Sequence, residues 1–216
     1  MHTLARRVLL VLCMLASTAA SVQAAQDANA DLYDAAAPAN SAFIRVLNLG
    51  TTVVEVTLSG KKTSQKIGPG QLGGYRFTPP GPTRIAVDGA SIEPPLQANT
   101  ASTLLYRDGQ LTLLKDAYVN EPKKAQLAFY NMADQAVALK TLDGKHVVVD
   151  PIGQAQTGGR MVNEFKIAFA AYAGETSLAS FDEMFLKKGR SYSYVLIPQG
   201  SGYRTISQAN AIDPAE

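Results

Sequence analysis

A short apolar alternation that closes on asparagine occurs twice in this chain, and the repetition constrains the fold more than any other feature. FIRVLN spans residues 43–48, and QLAFYN spans residues 126–131, at an offset of 83. Further similar segments follow both copies in the same order, at offsets of 82 to 84. The offset increases to about 90 only after the second Gly-rich turn. We infer an internal duplication. Two copies of this size predict two tandem domains rather than a solenoid, which needs more and shorter repeats.

The duplication also gives the predicted domain boundaries. The first domain spans residues 43–119 and the second spans residues 125–211. Between them, residues 120–124 contain Asn, Glu, Pro and two Lys, a composition typical of linkers. An extended lead-in rich in Ala and Asp precedes the first domain at 25–42, and a short tail follows the second at 212–216.

Each copy has the pattern of a β-sheet domain. Short, partly alternating apolar segments are separated by Gly, Pro or Asx turns, which is typical of antiparallel strands. The Asp-Gly pair at 108–109 predicts a two-residue hairpin, and residues 197–204 predict a longer counterpart in the second copy. Residues 176–189 also fit an amphipathic helix, but the corresponding segment of the first copy contains Pro-Pro at 94–95. We therefore expect extended structure in both, and an all-β fold of two tandem small antiparallel β-sandwich domains.

The first 24 residues have the organisation of a secretory signal peptide. Two arginines precede an apolar run at 8–16, and Val22 and Ala24 are small residues at the two positions that determine cleavage. The run is shorter than the roughly 20 residues that a membrane-spanning helix needs. We expect cleavage after Ala24 or Ala25 and export to the periplasm.

Removal of the signal peptide changes the charge and the cysteine content. Lys+Arg falls from 20 to 18 and then equals the 18 Asp+Glu residues. Because a nucleic-acid binder normally carries an excess of basic charge, we expect no nucleic-acid partner. The single cysteine, Cys13, lies within the removed segment, so the remaining chain has no disulfide, thiol nucleophile or thiolate-bound metal.

The sequence contains no recognisable motif for catalysis or cofactor binding. His146 is the only histidine beyond the signal peptide, and no Gly-x-Ser-x-Gly elbow accompanies it. The Gly-rich runs at 68–74 and 153–159 do not match a phosphate-binding loop, and acidic residues are too scattered for a metal cluster. We therefore predict no catalytic, cofactor-binding or metal-binding residues.

Five residues are candidates for partner binding. Leu32 and Tyr33 are apolar residues in a polar lead-in, so they could pack on their own domain or dock on a partner. Lys61 and Lys62 lie at a predicted turn, and Arg76 follows the first Gly-rich turn. This basic group suggests a carboxylated sugar or an acidic partner, and a solvated hairpin tip is the alternative.

The start of the mature chain resembles the AlgF family of periplasmic alginate biosynthesis proteins. The shared pattern is Leu-Tyr, then Ala-Pro, then Ser-x-Phe-x-Arg-x-x-Asn. In this chain the matching residues are Leu32, Tyr33, Ala37, Pro38, Ser41, Phe43, Arg45 and Asn48. Length, signal peptide and the two-copy β plan also agree.

The resemblance implies a function in exopolysaccharide acetylation. The expected protein is a non-catalytic accessory or adaptor that acts with periplasmic and membrane-bound polysaccharide acetyltransferases to O-acetylate alginate, a biofilm polymer. No catalytic residue is implied. Three alternatives stay open: a carbohydrate-binding module for the exported polysaccharide, an acyl-carrying subunit of the transferase, and cellulose as the polymer.

Overall fold

The computed structural model describes residues 37–119 and 121–213, which we call the first half and the second half. These described residues form only strands, turns and loops. Among them no helix is long and apolar enough to cross a membrane. The predicted all-β fold class is confirmed.

Each half contains ten strands. Those of the first half are β1 (Ala42–Asn48), β2 (Val54–Leu58), β3 (Gln65–Ile67), β4 (Arg76–Thr78), β5 (Gly81–Pro82), β6 (Ile85–Val87), β7 (Ala90–Ile92), β8 (Pro95–Leu96), β9 (Ala101–Arg107) and β10 (Gln110–Lys115). Those of the second half are β11 (Ala125–Asn131), β12 (Val137–Thr141), β13 (Val147–Ile152), β14 (Gln156–Val162), β15 (Phe165–Ile167), β16 (Phe169–Ala173), β17 (Thr176–Ser180), β18 (Met184–Leu186), β19 (Ser191–Gln199) and β20 (Gly202–Ala209). The segment at 176–189, which also fitted a helix, contains β17 and β18 and is extended, as its proline-containing counterpart suggested.

The two halves repeat one strand order. The sheets of the first half run β10-β9-β1-β4 and β3-β2-β6-β7, with a two-stranded ribbon β5-β8. Those of the second half run β20-β19-β11-β14 and β13-β12-β16-β17, with the ribbon β15-β18. Each strand thus corresponds to the strand ten places later in the chain. This correspondence confirms the internal duplication.

One strand pair in each half is parallel, which the sequence reasoning did not anticipate. Strand β1 runs parallel to β9, and β11 runs parallel to β19, while the other pairs between these strands are antiparallel. A parallel pair needs a long crossover connection. Here the crossover is the rest of the domain, because β2 to β8 lie between β1 and β9 in the chain. The opening strand of each copy therefore meets a closing strand at the centre of one sheet.

The core of each half is a cluster of apolar side chains from both of its four-stranded sheets. In the first half, Ile44 and Leu104 from one sheet pack with Val56 and Ile85 from the other. Strand β2 shows the expected alternation, with Val54, Val56 and Leu58 buried and the residues between them exposed. This packing of two sheets face to face is the predicted sandwich.

The second core is built around aromatic rings. The ring of Phe181 meets those of Phe129 and Tyr194 edge-on, at centroid distances of 6.2 and 5.3 Å. Phe169 approaches Tyr194 in the same way at 5.2 Å. Edge-to-face pairs at these distances add stabilisation beyond the area they bury.

The two C-terminal hairpins of the halves use turns of the same length. Asp108 and Gly109 have positive φ angles of 49° and 80°, so the predicted two-residue hairpin between β9 and β10 is confirmed. The prediction of a longer loop between β19 and β20 is wrong, because Gln199 pairs directly with Gly202. The additional residues lengthen the two strands instead of the turn.

Asn48, the last residue of the first copy of the repeated motif, is buried and joins separate parts of the backbone by hydrogen bonds. Asn48 donates from Nδ2 to the carbonyl oxygens of Thr52 (2.8 Å) and Ile67 (3.0 Å). Its Oδ1 accepts from the amide of Gly50 at 2.9 Å. One side chain thus bonds three backbone groups, and it ties the end of β1 to β3 in the other sheet.

Asn131 makes the same three bonds in the second copy. Its Nδ2 donates to the carbonyl oxygens of Gln135 (2.7 Å) and Ile152 (2.9 Å), and its Oδ1 accepts from the amide of Ala133 (2.9 Å). The recurrence of asparagine in the two motifs therefore has a structural reason.

The halves share a third buried cluster at their interface. Leu47 and Leu105 are cross-strand neighbours in the first half, and Tyr130 and Val195 are the equivalent neighbours in the second. All four belong to the shared cluster, whose other buried members are Leu72, Ala128, Met132 and Ile197. The two halves therefore pack through the same face of equivalent sheets.

The C-terminal end of the second half also pairs with the first half. Tyr75 donates its amide to the carbonyl oxygen of Ala211 at 2.9 Å, and Asp213 donates its amide to Tyr75 at 2.8 Å. This short bridge is parallel. The second half therefore reaches back to the first through its backbone as well as through side chains.

Candidate functional site

A network of buried polar side chains lies at the interface, around an arginine. Arg45 is only 2% exposed. Its Nε donates to Thr103 Oγ1 at 3.0 Å, and its Nη1 donates to Asn210 Oδ1 at 2.8 Å. Its Nη2 donates to Tyr130 Oη and to Ser193 Oγ, both at 2.8 Å. Three of these four partners belong to the second half, so one side chain joins the halves.

Strand alternation explains why this arginine faces the interface. Ile44 and Val46 point into the core of the first half, and Arg45 lies between them on β1. Successive side chains of a strand point to opposite faces, so Arg45 points toward the second half. Its counterpart in the second copy is Ala128, because Arg45 pairs with Thr103 and Ala128 pairs with Ser193.

Two aromatic rings and one carboxylate complete the surroundings of the guanidinium. Its Cζ lies 4.2 Å from the ring centroid of Tyr75 and 5.4 Å from that of Tyr130. Asp116 Oδ2 accepts from Tyr75 Oη at 2.6 Å and from Thr103 Oγ1 at 3.0 Å. Because Thr103 also accepts from Arg45, the hydroxyl connects the buried cation to the buried anion.

The electrostatics keep Arg45, Tyr75 and Tyr130 in their ordinary charge states. Burial raises the pKa of the Tyr75 and Tyr130 phenols, which stay protonated although the Arg45 charge opposes the shift. Burial works against the charged form of Arg45, but the nearby Tyr130, Tyr75 and Asp116 outweigh it, and the pKa of the guanidinium is raised. None of these three groups is prepared to exchange a proton near neutral pH.

The serine that contacts Arg45 is not arranged as a nucleophile. Ser193 Oγ donates its proton to Asn210 Oδ1 at 2.8 Å and accepts from Arg45. An activated serine needs a base as the acceptor of its proton, and an amide oxygen is not one. The geometry therefore suits a connection between the halves rather than acyl transfer.

His146 lies in the exposed turn between β12 and β13. Its amide donates to Thr141 Oγ1 at 3.1 Å, and Thr141 donates to Asp143 Oδ1 at 2.6 Å. That bond and one from the Lys145 amide lower the pKa of Asp143. These contacts are those of a hydrogen-bonded turn. Across the residues that the structure describes, no group of three or more side chains could hold a metal ion.

The three predicted partner-binding residues that the structure describes do not form one surface. Leu32 and Tyr33 lie outside the described residues. Lys61 is half-buried at the turn after β2, with its Nζ 3.8 Å from the ring centroid of Phe77, and the adjacent Lys62 is exposed. The two lysines thus stay candidates at the hairpin tip.

Arg76 has to be removed from the predicted surface group. It is 1% exposed, and its guanidinium donates to the backbone oxygen (2.8 Å) and the hydroxyl (2.9 Å) of Thr63. Its position in β4 directs the side chain under the loop between β2 and β3. Arg76 therefore supports that loop and presents no face to a partner.

The sequence reasoning missed the Arg45 network, although one signal was available. Arg45 is a charged residue inside an otherwise apolar strand, FIRVL. A charge at such a position needs buried partners. The identities of those partners could not be read from the sequence, because Asn210 lies 165 positions away and Ser193 lies 148 positions away.

Comparisons with known proteins converge on one family. The chain matches, over residues 14–193, the model of a family described as Alginate O-acetyl transferase AlgF. It is 30% identical over 196 residues to alginate biosynthesis protein AlgF of Pseudomonas putida, covering 90% of this chain and 86% of that protein.

Two solved structures with similarity are domains of AlgF from P. aeruginosa. The C-terminal domain is 24% identical with a TM-score of 0.38, and the match covers 41% of this chain and 99% of that one. The N-terminal domain is 26% identical with a TM-score of 0.33, and the match covers 37% of this chain and 98% of that one.

Proposed function

The chain belongs to the AlgF family, and we propose from that premise that it is a non-catalytic adaptor of the machinery that O-acetylates alginate. In this proposal the protein is exported to the periplasm by its signal peptide. There it binds periplasmic and membrane-bound acetyltransferases and positions them on the polymer.

The observation that carries the proposal is that Arg45, Tyr130 and Ser193 hydrogen-bond to one another in the buried interface. These are groups that could stabilise an oxyanion or carry an acyl group, but all three are buried at the interface. Their hydrogen bonds are made to one another across the two halves. An acetyl donor needs an accessible nucleophile. The most polar part of the fold is therefore better suited to holding two domains in one arrangement.

A two-domain body of this kind suits an adaptor because it offers two surfaces at a defined separation. Leu32 and Tyr33 lie in the lead-in that precedes these two domains. In the proposal, this segment docks on an acetyltransferase through the two side chains. Short apolar anchors on an extended segment bind partners by entering a groove or adding to a sheet edge.

A pull-down paired with an acetyl-donor assay tests the proposal. Full-length protein with a C-terminal tag is incubated with periplasmic and membrane extract, and recovered proteins are identified by mass spectrometry. We expect an acetyltransferase to be recovered by the wild type and lost with Leu32→Ala/Tyr33→Ala. The matched control is Val53→Ala/Leu142→Ala, which truncates two exposed apolar side chains. Val53 directly precedes β2, and Leu142 directly follows β12.

The alternatives give different results in the same experiment. Turnover of an acetyl donor by purified protein, or a stable acetyl-serine on it, would replace the adaptor with an enzyme or an acyl-carrying subunit. Retention on immobilised alginate or cellulose without any recovered acetyltransferase would favour a carbohydrate-binding module and would also identify the polymer.

A further inference from the structure

Strand β10 forms an open edge of the sheet β10-β9-β1-β4. It pairs with β9 on one side, and no backbone hydrogen bond within the described part of the chain reaches its other side. Natural proteins usually protect such edges with charge, proline or short length, because an open edge can pair with a further strand. The sequence of β10, QLTLLK, has three leucines and a threonine between its polar ends and none of these protections inside the strand.

The hydrogen bonds of β9 show which backbone groups of β10 face outward. Asp116, directly after β10, donates its amide to the carbonyl oxygen of Ala101 at 2.9 Å. The carbonyl oxygen of Tyr106, opposite Leu111, accepts from Leu49 on the other side and so points away from β10. Antiparallel strands alternate between hydrogen-bonded and non-hydrogen-bonded pairs. The residues whose amide and carbonyl groups point to the open side are therefore Leu111, Leu113 and Lys115.

The open edge also has an exposed apolar side chain that its counterpart in the second half lacks. Leu113 lies on the face of β10 that packs on the core of the first half, yet it is 37% exposed. Ser207 holds the equivalent position in β20, since its partner on β19 corresponds to the partner of Leu113 on β9. The hydroxyl of Ser207 accepts from the amide of Asp182 at 3.0 Å. The segment between β17 and β18 thus contacts the edge of β20.

We propose that β10 pairs through its open edge with the β10 strand of a second molecule of this protein. The two strands would run antiparallel about a two-fold axis at Leu113, and the two four-stranded sheets would join into one. Leu113 would lie opposite its own counterpart, and Leu111 would lie opposite Lys115. Because each hydrogen-bonded pair exchanges two bonds, the three outward-facing residues would form about six backbone hydrogen bonds with the second molecule.

The strand complements itself in this register. Each Lys115 faces a leucine, whereas an axis at Lys115 would place two ammonium groups opposite each other, which is destabilising. All paired residues lie on one face of the strand, so the leucines of both molecules stay on the core side. The exposed part of each Leu113 is covered by the other. The inference goes beyond the proposed function, since the pairing needs no acetyltransferase.

Sedimentation velocity at increasing protein concentration tests the association. An interface limited to one strand pair is small, so we expect a reversible dimer that forms as the concentration rises. Leu113→Lys places two lysines opposite each other and should weaken dimerisation at least about tenfold. Leu142→Lys makes the same change at an exposed leucine outside β10 and should dimerise as the wild type does. Thermal unfolding shows whether both variants are folded.

Single cysteines test the register. In a Cys13→Ser background, Leu113→Cys introduces the sole thiol of the chain. The Cα atoms of a hydrogen-bonded antiparallel pair lie about 5.5 Å apart, a distance that a disulfide spans. Leu113→Cys should therefore form a disulfide-linked dimer on mild oxidation. Leu111→Cys is the matched control and should not, because the two cysteines would lie about 13 Å apart along the paired strands. A mixture of Leu111→Cys and Lys115→Cys proteins should cross-link.

Several results would overturn the inference. They are a wild type that stays monomeric at every concentration, a folded Leu113→Lys variant that dimerises as the wild type does, or cysteines at 111 and 113 that cross-link equally. If Leu113→Lys does not fold, the pattern of cysteine cross-links decides. A dimer that forms without a cross-link at position 113 would place the interface on another surface.

Discussion

Arg45 joins the two halves through one guanidinium that has four hydrogen-bond partners. A planar guanidinium can serve several acceptors at once, which a lysine ammonium cannot do with the same geometry. Its removal would leave Tyr130, Ser193 and Asn210 without the donor that they face. It would also break the connection through Thr103 between the buried Asp116 carboxylate and a cation. A buried polar group without a partner is destabilising by more than the hydrogen bond itself contributed.

Arg45→Met should lower the free energy of unfolding by about 3–5 kcal/mol, because it removes one partner of a buried charged network. Urea unfolding measures the change. Arg45→Lys should recover only part of the loss, since it restores the charge without the guanidinium fork. Arg107→Met, at an exposed position, is the control and should stay within about 0.5 kcal/mol of the wild type. A cost for Arg45→Met as small as that of the control would show that the network does not stabilise the fold.

Alkaline pH should destabilise the protein through its buried tyrosines. Burial raises the pKa of Tyr75, Tyr130 and Tyr194 in the folded state. The unfolded chain therefore loses these protons first, near the ordinary tyrosine pKa of about 10, and unfolding is favoured as the pH rises beyond it. Each tyrosine contributes up to about 1.4 kcal/mol per pH unit above that value.

Urea midpoints between pH 8 and 11.5 measure this loss. The stabilising effect is complete below about pH 9 and declines above about pH 10. Tyr194 Oη has no hydrogen-bond partner among the residues that the structure describes. Tyr194→Phe should therefore fold at least as stably at pH 8 and lose less stability on the alkaline side. A profile that stays flat to pH 11.5 would contradict the prediction.

Strands β1 and β11 end in equivalent asparagines, Asn48 and Asn131, whose side chains connect backbone groups by hydrogen bonds. Each is fully buried and satisfies three backbone groups. The duplication has kept the same amide in the same role while much of the intervening sequence has changed. The two positions therefore form a natural matched pair for measuring one interaction in two contexts.

Asn48→Ala and Asn131→Ala should each lower the free energy of unfolding by about 2–4 kcal/mol, because each leaves buried backbone groups unpaired. The two losses should agree within about 1 kcal/mol if the connectors are equivalent. Chemical unfolding measures both, with the exposed Asn163→Ala as the control. A large loss for one position and none for the other would show that only one copy depends on its asparagine.

Local patterns explain which elements could be predicted. The hairpin at Asp108 and Gly109 depends on adjacent residues with positive φ, so its turn chemistry is visible in the sequence. The extended form of residues 176–189 followed from prolines in the other copy. The parallel pairing of β1 with β9 was not predictable in this way, because pairing across a whole domain leaves no local signature.

At the candidate site too, features encoded by adjacent residues were predictable and features set by distant packing were not. Lys61 and Lys62 were correctly placed at a turn, since turns are encoded locally. The burial of Arg76 was missed because its partner, Thr63, lies in a loop whose path depends on the packing of two sheets. Tyr118 and Val119 lie at the end of the first predicted domain, and only the fold brings them to one cleft with Arg190.

The halves have separate sheets and separate cores, yet they share a buried cluster and the Arg45 network. Lys123 and Lys124 are exposed, so a protease can reach the peptide bonds that follow them. The association of the halves should therefore outlast the covalent connection between them.

Limited trypsin digestion should cut after Lys123 or Lys124, and the two fragments should elute together in gel filtration. Mass spectrometry identifies the cut, and the uncut chain provides the reference elution volume. In the Arg45→Met background the fragments should separate at a lower urea concentration. Immediate separation of wild-type fragments would mean that the interface does not hold the halves without the linker.

The asymmetry at the Arg45 position has a consequence for how such an interface can arise. If a single copy formed a homodimer through this face, every interface residue would occur twice, and two guanidiniums would be buried close together. Like charges in a low-dielectric interface repel strongly. Joining the copies in one chain removes that constraint, because each copy can then change alone. Arginine at position 45 with alanine at the equivalent position 128 is a combination that a covalent fusion permits and a symmetric assembly does not.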